Sequence, residues 1–438
     1  MLDVHLFRAG VNGENAELVR DSQRRRFADA GLVDEIAAHD ATWRRRQLDL
    51  DKARKDLNAT NKKIGQLMVN SQEDAAKQLM EGVDAAKQRL AVVTLEAGAR
   101  DAKAALDAKL MATPNILHLS VPVDNDEANN VTLRTFGERR MGENLMGHLD
   151  LCTRLGIVDL DKGAAIAGGR GYFLKNEGAR LNRALVNFGL DFLRKRGFQE
   201  MQTPFFMTKQ AMAKCAQLAQ YDDELYKLEG EDKFLIATSE QPLCAYHQGE
   251  RIHPDQLPIR YAGYSTCFRK EAGSHGRDTA GIFRVHQFEK VEQFCITAPD
   301  GNASWEMHEE MVKNAEDFYA ELGVACRVVN VVSGALNDAA AKKYDLEGWF
   351  PASGTYRELV SMSCSNCTDY QARRLGITYG QKVDKRCKKY VHTLNSTLTA
   401  TERTLCCILE TYQREDGVEV PKVLQPYMGG TEFIPFKN

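Results

Sequence analysis

The chain has few features of a membrane or secreted protein. No apolar stretch in its 438 residues approaches the ~18 residues of a membrane span. The start, MLDVHLFRAG, lacks a basic region followed by an apolar core, so no secretory signal and a cytoplasmic location are expected. An excess of either charge sign is also missing: 58 Lys and Arg stand against 61 Asp and Glu, which excludes a surface basic all over. Any nucleic-acid contact must be local. There is no 20–50-residue repeat and no low-complexity tract. The eleven cysteines mostly sit singly in apolar runs, as Cys244, Cys267 and Cys295 do, where a reduced thiol behaves as a small hydrophobe. One CxxC, Cys364 and Cys367, has no second pair at matching spacing, so no structural zinc is expected.

Proline is absent between Ala41 and Met111, and apolar residues there recur in heptads. Trp43, Leu50, Leu57 and Ile64 form one stripe, flanked by Ala53 and Leu67. After a polar break at 69–72, a second set combines Leu79, Ala86 and Val93 with Val83, Leu90, Ala97, Ala104 and Met111. The pattern predicts an antiparallel coiled-coil hairpin over about 41–111, within a domain of residues 1–113. Residues 1–40 read as a cap containing a strand and a short helix. The first hairpin helix carries Arg44, Arg45, Arg46, Lys52, Arg54, Lys55, Lys62 and Lys63 against three aspartates, a local net charge of +5. Such a rod is either a solvated face or a surface for a phosphate backbone.

Residues 114–438 read as a second, α+β domain. Leu181, Leu185, Phe188 and Phe192 mark one stripe of a helix over Gly178–Arg196, followed by a short strand near Pro204. In Ile236–Glu240, read as a strand, Thr238 and Glu240 share a face and suit an ammonium group. Residues 264–296 read as strand, Gly-rich turn, strand. Arg269 and Glu271 share one face of the first strand, and Phe288, Lys290 and Glu292 one face of the second. These are charges that need partners or ligands if the sheet is covered. The last stretch, Asn395 to Arg403, opens an amphipathic helix with an arginine at its electrostatically unfavourable end, which suits a phosphate ligand.

In this order the segments resemble the class II aminoacyl-tRNA synthetases, and among them the seryl-tRNA synthetases of cytosolic eukaryotic type. Motif 1 corresponds to about 178–206, motif 2 to about 264–296 and motif 3 to about 395–413. The resemblance implies an antiparallel sheet flanked by helices, preceded by a tRNA-binding arm. It also implies a ligase that activates L-serine with ATP and Mg²⁺ and passes the seryl group to tRNA(Ser), and to tRNA(Sec) where present. A homodimer built partly on the motif 1 helix is implied as well.

Carried over by position, Arg269, Glu271 and Arg403 would be catalytic. ATP would meet these three with Lys270, Val285, Phe288, Glu358, Leu359, Val360 and Ser361, and Glu358 would hold Mg²⁺ through ATP. Serine would meet Thr238, Ser239, Glu240, Arg269, Glu292, Asn395 and Thr397. The tRNA would meet Arg44, Arg45, Lys52, Arg54, Lys55 and Lys62. Where the family reads RELVSCSNC, this chain is two residues longer, so either Ser361 or Ser363 takes the serine position. The glycines typical of motif 3 before its arginine are absent.

Overall fold

The computed structural model describes residues 1–8, 14–81, 83–216, 224–272, 280–381 and 388–437, without the side chains of 14, 81, 83–86 and 360–363. The described chain forms two compact units, Met1–Ile116 and Leu117–Asn438.

The first unit is helical. A 3₁₀ turn at Val4–Phe7 leads to helix α1 (Glu14–Arg25), a long α2 (Leu32–Val69), α3 (Glu73–Glu81) and α4 (Val83–Met111). No strand occupies the described part of residues 1–40, and the first hairpin helix starts at Leu32 rather than near 41. Buried Asp40 explains this: it binds Arg8 at 2.8 Å and Arg44 at 2.8 Å, fastening the N-terminal turn onto α2. At 38 residues α2 is roughly 57 Å long. It pairs with α4 through Leu50, Val92 and Ala99, with Ala53, Leu57 and Leu95 packed alongside. Arg54 meets Glu96 and Arg46 meets the Gly98 carbonyl across the pair, at 2.6 and 2.8 Å.

The α2 stripe lies where the heptads place it, with Trp43, Leu50, Leu57 and Ile64 turned inward. The α4 stripe does not. Leu90 and Val93 are 68% and 61% exposed, while Val92, Ala99, Ala102, Leu106 and Leu110 are buried, the first two against Leu50 of α2. Alanines on every face of α4 left two registers open, and side-chain packing against α2 selects the other one.

The second unit is organised by an eight-stranded sheet: β1 (Val131–Phe136), β2 (Gln199–Gln202), β3 (Ile259–Phe268), β4 (Gln287–Thr297), β5 (Cys326–Asn330), β6 (Lys342–Phe350), β7 (Thr355–Asn366) and β8 (His392–Ala400). Their spatial order is β1-β5-β6-β7-β8-β4-β3-β2. Every neighbouring pair is antiparallel except β2 with β3. β8 and β4 lie at the centre and are buried along nearly their whole length, because helices cover the sheet. Helix α5 (Glu177–Arg194) lies on β4 closely enough that a Cβ on Gly189 would meet Val291 at 3.4 Å. Phe188 of α5 stacks on Phe318 of helix α7 (Ala303–Glu321) at 5.0 Å.

The stripe Leu181, Leu185, Phe188 and Phe192 is therefore packed in this unit's own core. A short helix α6 (Glu240–Tyr246) sits over β3, where a Cβ on Gly263 would strike Leu243 at 2.5 Å. Helix α8 (Thr401–Tyr412) continues directly from β8. Asn395 and Thr397 thus lie in a central strand, not in the helix start, and Arg403 is the third helical residue.

Candidate functional site

Two adjoining pockets open on the site face of the sheet, and Arg269 lines both. Arg269 and Glu271 are not strand residues: β3 ends at Phe268, and both follow in the turn. The Arg269 amide donates to the His286 carbonyl at 2.9 Å and its Nε to the Ala237 carbonyl at 3.4 Å. Its guanidinium lies 5.2 Å from the centre of the Phe288 ring, a cation–π distance. Glu271 is held at φ +52°, the left-handed region that non-glycine residues enter only at a cost. Its carboxylate pairs with Arg284 at 3.1 Å.

The first pocket runs from Phe288 to Phe283 and Arg403, with Val285 in its wall. Arg403 donates to the Phe283 carbonyl at 3.3 Å and pairs with Glu358 at 3.2 Å. Arg357 and Arg403 both lie against the Phe283 ring, at 4.1 and 5.2 Å. Three arginines and two aromatic faces in one cleft suit a planar base bearing anionic groups. Below it, Glu402 is buried and receives the Tyr172 hydroxyl at 2.8 Å and the Glu289 amide at 3.0 Å. Burial nevertheless lifts its carboxyl to about 7.

The second pocket collects Thr238, Glu240, Arg269, Gln371 and Lys343. The strand expected at 236–240 ends at Leu235, and Glu240 is instead the first residue of α6. Thr238 and Glu240 still meet, because the Glu240 amide donates to Thr238 Oγ1 at 3.2 Å. Burial, then the charge of Glu292, raises the Glu240 carboxyl above its ordinary value.

Glu292 itself is 1% exposed. Its Oε2 receives Thr397 Oγ1 at 2.7 Å and Lys290 Nζ at 2.5 Å, while its Oε1 has no hydrogen-bond partner among the described residues. Lys290, 5% exposed, also donates to Thr238 at 2.6 Å. It was missed as a site residue, although its alternation with Phe288 and Glu292 carried the signal.

Other expected residues fall elsewhere. The Leu359 side chain is fully buried in the hydrophobic core, because it fills the space beside Gly348. Ser239 is buried against β3, its hydroxyl on the Gly263 carbonyl at 3.4 Å. The Lys270 amide donates to the Glu224 carbonyl at 3.0 Å, and its side chain lines neither pocket. Asn395 is buried behind Thr397, near the Cys367 thiol at 3.9 Å. The side chains of Val360, Ser361 and Ser363 lie outside the described residues.

On α2, Arg44, Arg45, Lys52, Arg54, Lys55 and Lys62 are all exposed. Arg44 and Arg54 are engaged by Asp40 and Glu96. At 100° per residue, Arg45, Lys52, Lys55, Lys62 and Lys63 share a face roughly opposite the seam with α4.

An antiparallel sheet carrying an arginine-rich cleft next to a small polar pocket is the architecture of the class II aminoacyl-tRNA synthetases, and the sequence matches place the chain among them. Residues 221–412 match the tRNA synthetase class II core domain (G, H, P, S and T), and residues 1–117 match the seryl-tRNA synthetase N-terminal domain. The chain belongs to the seryl-tRNA synthetase family. It is 62% identical to the cytoplasmic serine–tRNA ligase of Arabidopsis thaliana, over 100% of this chain and 97% of the relative.

Two solved structures extend the likeness. The cytoplasmic serine–tRNA ligase of Naegleria fowleri in complex with AMP superposes with a TM-score of 0.85 at 49% identity, covering 100% of this chain and 99% of that one. The seryl-tRNA synthetase of Pyrococcus horikoshii complexed with ATP gives 0.89 at 38% identity, covering 100% of both.

Proposed function

We propose that the chain is a serine–tRNA ligase whose two pockets hold ATP and serine on either side of Arg269. The carrying observation is Glu292: a buried carboxylate with one oxygen held by Lys290 and Thr397 and the other without a partner among the described residues. An acceptor so placed calls for a ligand donor, and the hydroxyl of serine supplies one. Alanine would leave that oxygen unpaired, so discrimination follows without a second, editing site.

In this reading Glu240 takes the α-ammonium, with Thr238 beside it, and Arg269 orients the carboxylate against the α-phosphate. Phe288 carries the adenine, while Glu271 and Arg403 fix the nucleotide. The serine carboxylate attacks the α-phosphorus in line, pyrophosphate leaves, and seryl-adenylate forms. A terminal hydroxyl of tRNA then attacks the acyl carbon and releases AMP. No side-chain nucleophile is required, since positioning and charge neutralisation lower the barrier.

Mg²⁺ bound chiefly through ATP phosphates needs only one or two protein carboxylates, and Glu358, whose Oε2 pairs with Arg403 at 3.2 Å, would supply one of them. When bound, the ion neutralises phosphate charge. The basic α2 face supports the reading of the arm as the tRNA contact. The homodimer that the family resemblance implies belongs to the same reading. The cytoplasmic relatives support a cytoplasmic location, and no described helix is long and apolar enough to cross a membrane.

The test reads adenylate formation and tRNA binding separately. Arg269→Ala should abolish serine-dependent exchange of pyrophosphate into ATP while leaving tRNA binding intact. Exchange that survives the substitution would overturn the assignment of Arg269.

A further inference from the structure

Glu240 occupies a position unfavourable to the charge it must carry. Burial and Glu292 both favour its neutral form, yet only the carboxylate attracts an ammonium. Lys290 and Glu292 face it from β4 and Arg269 from the turn after β3. Lys343 and Glu224 share its pocket, and the thiols of Cys244 and Cys215 lie near. The one hydrogen bond from another side chain that reaches the carboxylate among the described residues comes from none of these. It comes from Gln371, in the short helix Tyr370–Leu375, whose Nε2 donates to Glu240 Oε1 at 2.9 Å.

Gln371 is 2% exposed, so its amide cannot turn to solvent. The amide's other end is fixed as well: Oε1 accepts the Thr393 hydroxyl at 2.8 Å. A flipped amide would set oxygen against the acceptor-only carboxylate, so the ionised Glu240 settles which end faces it, and the Thr393 hydroxyl anchors the other. Thr393 is itself pinned in the backbone. Its amide donates to the Thr368 carbonyl at 2.9 Å, and its carbonyl receives the Cys367 amide at 3.0 Å. Arg373 clasps Asp369 at 2.7 Å and stiffens the helix that bears Gln371. The relay from Thr393 through Gln371 to Glu240 thus stands on a central strand and a clamped helix.

We propose that Gln371 is a positioning residue for amino-acid recognition: its side-chain amide, aimed by Thr393, fixes the Glu240 carboxylate in the orientation that receives the substrate's ammonium. The inference rests on the reading of this pocket as the serine site. Gln371 acts through Glu240 and leaves the nucleotide cleft alone.

The experiment uses the full chain and serine-dependent ATP–pyrophosphate exchange, with KM measured separately for serine and ATP. Gln371→Met keeps length and volume but removes the donor. A lost hydrogen bond to an ionised group should raise the KM for serine about ten- to a hundredfold. The KM for ATP should stay within about twofold, since no contact there is lost.

Loss of a donor that holds the carboxyl down should also move the acid limb of kcat/KM for serine to higher pH. Thr393→Val, which removes only the aiming hydroxyl, should shift the same two readouts in the same direction by less, and it serves if Gln371→Met folds poorly. An unchanged KM for serine, or equal rises for serine and ATP, would overturn the inference while wild-type exchange stands. Wild type that gives no serine-dependent exchange overturns the pocket assignment as well.

Discussion

The basic face of α2 yields the most quantitative expectation. Arg45, Lys52, Lys55 and Lys62 are exposed and make no ion pair among the described residues, whereas Arg44 and Arg54 are already engaged by carboxylates. All four point away from the α4 seam, so their replacement by glutamine touches no core contact and keeps helix propensity. Each phosphate neutralised contributes about 0.7–0.9 to the slope of log affinity against log salt. If all four meet phosphates, the quadruple variant loses about 3 from that slope. Between 50 and 200 mM KCl the wild type should then lose roughly 50- to 150-fold more affinity for tRNA than the variant does.

The assay is a filter-binding titration of tRNA(Ser) at several salt concentrations, with pyrophosphate exchange as internal control. Exchange needs no tRNA and should be unchanged. A salt slope equal to that of wild type would refute the assignment, as would an equal loss of exchange.

Three further outcomes follow from the packing and the titrations. Leu106→Ala, at a side chain 1% exposed, should cost about 2–5 kcal/mol of hairpin stability, and Leu90→Ala, 68% exposed, about 0.5 or less, both read by chemical denaturation; equal costs would restore the heptad register. Burial lifts the Glu402 carboxyl to about 7 against 4.5, so the folded state binds its proton more tightly than the unfolded chain does. Its contribution is fully present below pH 4.5, falls by up to about 3 kcal/mol as pH rises to 7, and is flat above. In urea titrations at pH 5 and 8, Glu402→Gln should shrink the difference between the two, and an unshrunk difference would contradict the cause named. Thr397→Val should lower kcat/KM for serine in exchange about tenfold or more by releasing Glu292 Oε2; an unchanged value would remove Thr397 from the site.

Patterns with one buried face were legible in the chain. The stripes on α2 and α5 were read correctly because large apolar residues alternate there with charged ones. The register of α4 was not, since alanine fits either face and only packing decides. The 236–240 segment looked like a strand because Ile236 and Thr238 favour one; Pro242, tolerated in a first helical turn, was the available sign that α6 begins at Glu240. Arg269, Glu271 and Arg403 were legible as chemistry but not as geometry. The first two follow a strand whose end no residue marks, and the third sits one turn after β8. Gln371 became visible only when β8 and two short helices closed around Glu240, an arrangement set by a contact more than a hundred residues apart.

The central claim is that the pocket beside Arg269 selects serine through Glu292. It is tested most directly by ATP–pyrophosphate exchange with serine, run beside alanine, threonine and cysteine. Losing the hydroxyl forfeits a bond to a buried carboxylate and strands Oε1, together roughly 2.5–6 kcal/mol, so alanine should be slower by a factor of about a hundred to ten thousand. Well-folded protein that gives no exchange with serine, or that uses alanine within tenfold as well, would contradict the account.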